Sequence, residues 1–510
     1  MYAPSLNEFV ALAQTGNLIP VSRRILADLE TPLSAYRKIR GTGESFLFES
    51  VEGGEHLGRY SFAGCNPRAV IKQSGNRIEV IQQGKVTEKF AIPREPRDDC
   101  AQCVRDGLEV VQRVLGNFHP VAVPGLPRFT GGAVGFIGYE FIHDVEPTVP
   151  RPARDEVQTP TMYFIIADEL LVFDRVSQII HIIVNALVEP GVPPETAYEE
   201  AVGEIERMAA LLEQPTEHQL VTLPTEPTEL PFASNTSREQ FMANVLKAKE
   251  YITAGDIFQV VGSQRFSAPL RAAPLDVYRT VRSINPSPYM FLLELEGFAL
   301  VGASPELHVR LEDGRVEIRP IAGTRPRGRT PEDDAAQEKD LLADPKERAE
   351  HVMLVDLARN DIGRVCEHGS VWVRDLMIIE RYSHVMHIVS QVEGRLAAGR
   401  NAYDLMRATF PAGTLSGAPK VRAMQIISEL EQTTRGPYGG CVGYFAFNGN
   451  LDCCITIRTA LIKDGRAYVQ AGGGWVHDST PEGEFQETVN KAKAMIKALA
   501  LAESTRHGQD

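Results

Sequence analysis

The chain has 510 residues, 53 of them basic and 67 acidic, for a formal charge of −14 at pH 7. That balance disfavours a general nucleic-acid or anionic-membrane binder, and no segment approaches the ~18–20 apolar residues of a membrane span. With 43% hydrophobic and 24% charged residues, the composition fits a globular protein of two or three domains, or one large two-lobed domain.

The start, "MYAPSLNEFVALAQTG", has neither a basic n-region nor an Arg/Ser-rich transit composition, so a cytoplasmic location is expected. Residues 1–214 form a first region that mixes β-rich runs such as "RIEVIQQGKVTEKFAI" with helical stretches such as "PETAYEEAVGEIERMAALLEQ". Within it Cys100 and Cys103 form a CxxC, but no second pair stands at zinc-ribbon spacing and no His pair completes a site. "GGAVGFIG" (131–138) lacks the βαβ context and distal acid of a dinucleotide site and reads as a buried Gly-rich strand. Residues 215–235, rich in Pro, Thr and Glu, read as a linker or long surface loop.

From 236 to 510 the patterning is strong. Ser237 and Gln240 make a capping box before the stripe Phe241, Val245, Ala248 and Ile252, and Gly255 ends that helix. A second helix starts at Asp344 with Pro345 in its first turn, and a third runs from Pro481 towards the C-terminus. Between them lie strand-like runs broken by "EDG", "NGN" and "KDG", which read as hairpin turns. Long antiparallel strands with segregated helices predict an α+β fold.

Four features carry chemistry. "RPIAGTRPRG" (319–328) packs three arginines and turn-forming residues into what reads as an anion site, around an inert Ala322. On the second helix Glu347 and Glu350 share a face, and on the third Glu484, Glu487 and Lys491 do. Such faces are ordinarily solvated, and Glu347 also fits a capping box with Asp344; alternatively Glu350 and Glu487 converge on Mg²⁺, a hard cation that takes one or two protein carboxylates and keeps several waters. Gly472, Gly473 and Gly474 follow a strand and suit a turn whose amides hold a carboxylate, while Arg458 reads as a cation in an otherwise apolar strand. "GTLSGAPK" (413–420) has the wrong spacing for a phosphate loop, and the spacing of His384 and His387 assigns neither a role.

Taken in order, "ESVEGGEHLGRYSFAG", "NPSPYMFLLE", "GASPELHVR", "RPIAGTRPRG", "ERAEHVMLVDLARNDIGRV", "YSHVMHIVSQVEG", "PAGTLSGAPKVRAM", "YGGCVGYFAFNGNLDCCITIRT" and "QAGGGWVHDSTPEGEFQETVNKA" resemble the chorismate-utilising enzymes, densely over 235–500 and more sparsely over 20–180. The resemblance implies two large antiparallel β-sheets packed face to face with helices outside, built from both halves of the chain. It implies Mg²⁺ held by Glu350 and Glu487, with Glu347 and Glu484 behind them. Gly323, Thr324, Tyr438, Arg458, Gly472, Gly473, Gly474 and Lys491 match substrate-contacting positions. Glu306 matches the general acid, His387 the histidine linked to pyruvate elimination, and Thr414 lines the pocket. Ser50, Pro288, Tyr289 and Met290 match a tryptophan feedback site, where Phe48 departs from the usual "LLES".

The same resemblance separates the branches. Water-using members carry a lysine base where this chain has Gln259, and the 4-amino branch carries a lysine where it has Ala322. Neither residue here supplies an amine, so ammonia is the expected nucleophile and anthranilate the expected product. A separate glutamine amidotransferase subunit is the expected ammonia source. The alternatives are the 4-amino branch and a catalytically silent, tryptophan-binding homologue.

Overall fold

The computed structural model describes residues 2–50, 58–94, 102–215, 224, 229–382 and 385–507. Much of the expected linker, and the "VEGGEHL" part of the first matching segment, lie outside them.

The capping and turn signals act as the sequence implies, except that neither capping box gains its return bond from the Gln240 or Glu347 side chain. Ser237 accepts from the Gln240 amide to start the helix Arg238–Ala254, and Gly255 closes it at φ 86°. The return half of the box is missing: the Gln240 side chain donates to Asn244 instead, at 2.9 Å. Asp344 accepts from the amides of Lys346 and Glu347 at the head of Pro345–Gly363. Asp313–Gly314 and Asp464–Gly465 all have positive φ, the conformation of two-residue hairpin turns, which Asp-Gly pairs adopt readily.

Among the described residues the strands form one sheet of thirteen and one of twelve, with antiparallel pairing throughout. Each sheet joins strands from before and after the 215–235 segment. In the first the seam is Ser45–Glu49 against Tyr289–Leu295; in the second it is Gly132–Ile137 against Cys441–Ala446. The short strand Ala233–Ser234 completes one edge of the first sheet.

Strand alternation sorts side chains into separate cores. In Tyr289–Leu295, Phe291 and Leu293 enter a layer between the sheets with Phe46, Phe62, Phe136, Tyr163 and Tyr444. Met290 and Leu292 face the other way, against helices that include Pro32–Ile39, Pro194–Glu213 and Pro274–Ile284. A third core packs the second sheet against Gly107–Leu115, Arg238–Ala254, Ala402–Thr409 and Lys420–Glu431. The result is the expected α+β sandwich with helices on its outer faces. "GGAVGFIG" supplies the fully buried strand Gly132–Ile137, where a Cβ on Gly135 would stand 1.9 Å from the Tyr163 carbonyl oxygen.

Two local expectations fail. Gly472–Gly474 do not form a turn: they lie inside the strand Arg466–Trp475, paired with Val261, Gly262 and Ser263. Arg458 is not in a strand. The chain leaves the second sheet after Ile455 and enters the first at Thr459, and Arg458 sits on that crossover at φ 51°. A non-glycine residue held there is strained, and such strain gathers at functional sites.

Candidate active site

The glycine triplet acts as a clearing. A Cβ on Gly473 would stand 2.8 Å from Glu484 Oε2 and 3.4 Å from Glu487 Oε1; one on Gly474 would stand 2.1 Å from Gln259 Nε2, and one on Gly472 2.6 Å from the Tyr438 hydroxyl. The strand end thus admits carboxylates from the C-terminal helix on one face and Gln259 and Tyr438 on the other. Thr459–Lys463 covers the far edge of this strand only over Arg466–Val469, which leaves the glycines near an open edge.

Around this end the matched residues gather. Lys491 pairs with Glu487 at 2.7 Å and donates to the Gly472 carbonyl at 3.0 Å. The Arg458 guanidinium donates to the Lys491 carbonyl at 2.7 Å, which anchors the strained crossover to the helix. Gln259 Nε2 donates to Glu350 Oε1 at 3.3 Å, bringing the helix Pro345–Gly363 to the same place. The Lys491 charge acts on the carboxyls of Glu306, Glu350 and Glu484.

These carboxyls are starved of water. Burial, then the neighbouring Glu347, pushes Glu350 above the usual carboxylate range. Burial does the same to Glu484, and Glu484 Oε2 has no hydrogen-bond partner among the described residues. Among the described residues no three His, Cys, Asp or Glu side chains form a preformed metal cage. Desolvated carboxylates on two helices, one with an orphaned oxygen, suit a hard divalent cation that keeps waters and takes substrate oxygens.

Glu306, at the head of the strand Leu307–Glu312, is buried, and its carboxyl is pushed up to about 7 by desolvation. Thr414 Oγ1 donates to Glu306 Oε1 at 2.8 Å. His387, on Val385–Arg395, pairs in register with Thr324 of Ile321–Pro326, just past a bulge at Gly323, which has φ 72°. Its Nδ1 lies 2.9 Å from the Gly323 carbonyl oxygen and 3.0 Å from Thr324 Oγ1. A carbonyl only accepts, so Nδ1 carries the proton and Nε2 keeps a free lone pair. Burial, reinforced by Arg458, holds the imidazole below its ordinary proton affinity. Ala322 pairs in register with Ile388 on the same strand pair.

The arginines of "RPIAGTRPRG" are all engaged. Arg319 pairs with Glu380; Arg325 binds Asp340 and Asp344, and its guanidinium lies 3.6 Å from Glu347 Oε1. Arg327 binds Asp334. The expected anion site is therefore an ion-pair clamp across two helix starts and an adjacent strand.

A second cavity lies between the sheets. Ser50, Pro288, Tyr289 and Met290 all line it, with Phe48, Glu49 and Tyr444. The Ser50 hydroxyl is buried without a partner among the described residues. Sequence reasoning missed its polar wall, where Arg310 donates to Asp452 at 3.0 Å and to the Tyr289 hydroxyl at 2.9 Å. A lone Arg in "LHVRLE" and a lone Asp in "LDCC" were the available signals, but their pairing is visible only across strands.

A model of the chorismate binding enzyme family matches residues 45–497. The chain belongs to the chorismate-binding enzyme family. Within that family it is 48% identical to anthranilate synthase component 1 of Acetivibrio thermocellus over 510 residues, covering 99% of this chain and all of the relative. It is also 48% identical to the Pseudomonas aeruginosa protein of the same name, covering 98% and 99% of the two. The solved structure of anthranilate synthase component I from Streptococcus pneumoniae superposes with a TM-score of 0.75 at 38% identity, covering 93% of this chain and 99% of that one. A menaquinone-specific isochorismate synthase from Escherichia coli, 17% identical with a TM-score of 0.68, shares the fold of the family.

Proposed function

We propose that this chorismate-binding enzyme is the large subunit of an anthranilate synthase. It converts chorismate and ammonia to anthranilate and pyruvate with Mg²⁺, in tryptophan biosynthesis, and is inhibited by tryptophan. The observation that carries the reading is a site that holds a protonatable Glu306 and a neutral His387 and has no amine at positions 259 or 322. The relatives' designation as component 1 supports a partner subunit, here a glutamine amidotransferase.

Chorismate is a dianion, and Arg458, Lys491 and the open-edge amides near Gly472–Gly474 are the groups that would hold it. Bound Mg²⁺, with Glu350 and Glu487 as ligands, would supply positive charge to the ring carboxylate. Ammonia forms the new C–N bond at the ring carbon beside that carboxylate while the 4-hydroxyl leaves. Hydroxide is a poor leaving group, so Glu306, protonated because it is desolvated, delivers its proton to that oxygen and water departs. His387 Nε2 then takes the ring proton as the enolpyruvyl C–O bond breaks, and the enolpyruvate becomes pyruvate on protonation. The cavity holding Ser50 and Tyr289 is the place for tryptophan, with the Ser50 hydroxyl, unpartnered among the described residues, available to a polar group of the ligand.

The test is to mix the purified protein with chorismate, Mg²⁺ and ammonium at alkaline pH. Anthranilate fluorescence with equimolar pyruvate is expected. Formation of 4-amino-4-deoxychorismate or isochorismate would overturn the reading, and no turnover would favour a silent homologue.

A further inference from the structure

His387 is one of three residues in a row across three strands. It pairs with Thr324 on one side and with Glu380 of Trp372–Arg381 on the other. Directly opposite residues of antiparallel strands share a face, so the Glu380 carboxylate flanks the imidazole. Tyr382 closes the row: its ring lies edge-on to the His387 ring, centroids 5.5 Å apart and planes at 65°.

Tyr382 is itself fixed at several points. Its hydroxyl donates to Glu380 Oε2 at 3.0 Å, and Glu380 is in turn paired with Arg319. Arg327 donates to the Tyr382 carbonyl at 2.7 Å, and the Tyr382 amide donates to the Val385 carbonyl at 2.8 Å. Arg319 and Arg327 of "RPIAGTRPRG" thus brace a residue that touches the imidazole, and neither meets His387 directly among the contacts described above. An imidazole hydrogen-bonded only through Nδ1 can still rotate about that bond. A ring wedged against its edge stops the rotation and aims Nε2.

Resting on the reading of His387 as the elimination residue, we propose that Tyr382, braced by Glu380, Arg319 and Arg327, is a positioning residue for His387 that serves pyruvate elimination and not amination. Among the described residues the groups facing His387 are Thr324 and Gly323 on one strand, Glu380 on the other with Tyr382 just past its end, and Arg458 from the crossover. Of the charged pair, Glu380 favours the imidazolium and Arg458 opposes it.

The experiment follows chorismate loss and pyruvate release separately, with ammonium as nitrogen donor. In Tyr382→Leu, pyruvate release per chorismate consumed is expected to fall about 10–100-fold, as a misplaced catalytic group does. The KM for chorismate stays near native and the aminated, non-aromatic intermediate accumulates. Tyr382→Phe keeps the wedge and recovers most of the release. Glu380→Gln, which removes the charge favouring the imidazolium, moves the acid limb of pyruvate release to lower pH. His387→Ala serves as the control. If it leaves the ratio of pyruvate to chorismate unchanged, the underlying reading of His387 fails. If it changes that ratio while Tyr382→Leu does not, the positioning role of Tyr382 fails.

Discussion

The proton on His387 Nδ1 points at the Gly323 carbonyl oxygen, 2.9 Å away, and this one bond leaves Nε2 as an acceptor. Gly323 can present that carbonyl because it sits at a bulge with φ 72°, a conformation that glycine enters without a Cβ penalty. Replacing His387 with Asn is therefore expected to spare chorismate binding and reduce pyruvate release about 10²–10⁴-fold, the usual loss for a missing general base. Coupled pyruvate detection alongside chorismate absorbance measures both.

Glu306→Gln should separate activity from stability. Burial pushes the native carboxyl up from its ordinary 4.5 to about 7. It is protonated in the folded protein below about 7, while an unfolded chain already ionises it above about 4.5. The stability this favours is fully present at low pH and is lost as pH rises from about 4.5 through about 7. Gln carries no such loss, which is worth on the order of 3 kcal/mol at about 1.4 kcal/mol per pH unit. Thermal melts should show the variant gaining on the native protein at pH 8 and not at pH 4, while its turnover falls at least about 100-fold.

Gly473→Ala tests the clearing beneath the carboxylates. Its Cβ would come 2.8 Å from Glu484 Oε2 and 3.4 Å from Glu487 Oε1. Apparent Mg²⁺ affinity should weaken about 10–100-fold, the range for disturbed groups around a metal. Mg²⁺ titration of activity, with circular dichroism to verify the fold, gives the answer; an unchanged titration would remove this strand from the metal site.

Ser50→Leu should fill the cavity between the sheets. Inhibition by tryptophan is expected to be lost while turnover in its absence stays near native, since Ser50 lies outside the active site. Retained inhibition would place the tryptophan site elsewhere.

How far the sequence could be read depended on the range of the interaction. Ser237, Asp344, Asp313–Gly314 and Asp464–Gly465 announced helix starts and hairpins because their partners lie within a few residues. Arg458 did not announce its crossover, since "CITIRTA" is equally apolar before and after the chain changes sheets. The glycine triplet suggested a turn because glycine favours turns, but its use is set by Glu484, Gln259 and Tyr438, distant in sequence. The arginines of "RPIAGTRPRG" looked free for the same reason, with Glu380 61 residues away from Arg319. The site residues drawn from family resemblance cluster in space. Composition or periodicity alone would not have grouped them.

The two seams have a consequence for assembly. Cutting the chain anywhere in 215–235 would not yield two independent folding units but two pieces, each holding part of both sheets. The later piece would carry bare ladder edges along Tyr289–Leu295 and Cys441–Ala446, and the earlier piece along Ser45–Glu49 and Gly132–Ile137. Such edges are templates for mispairing. The pieces should therefore regain order mainly when mixed, each edge finding its mate, and a nascent chain would keep its first half-sheets waiting until the second arrives.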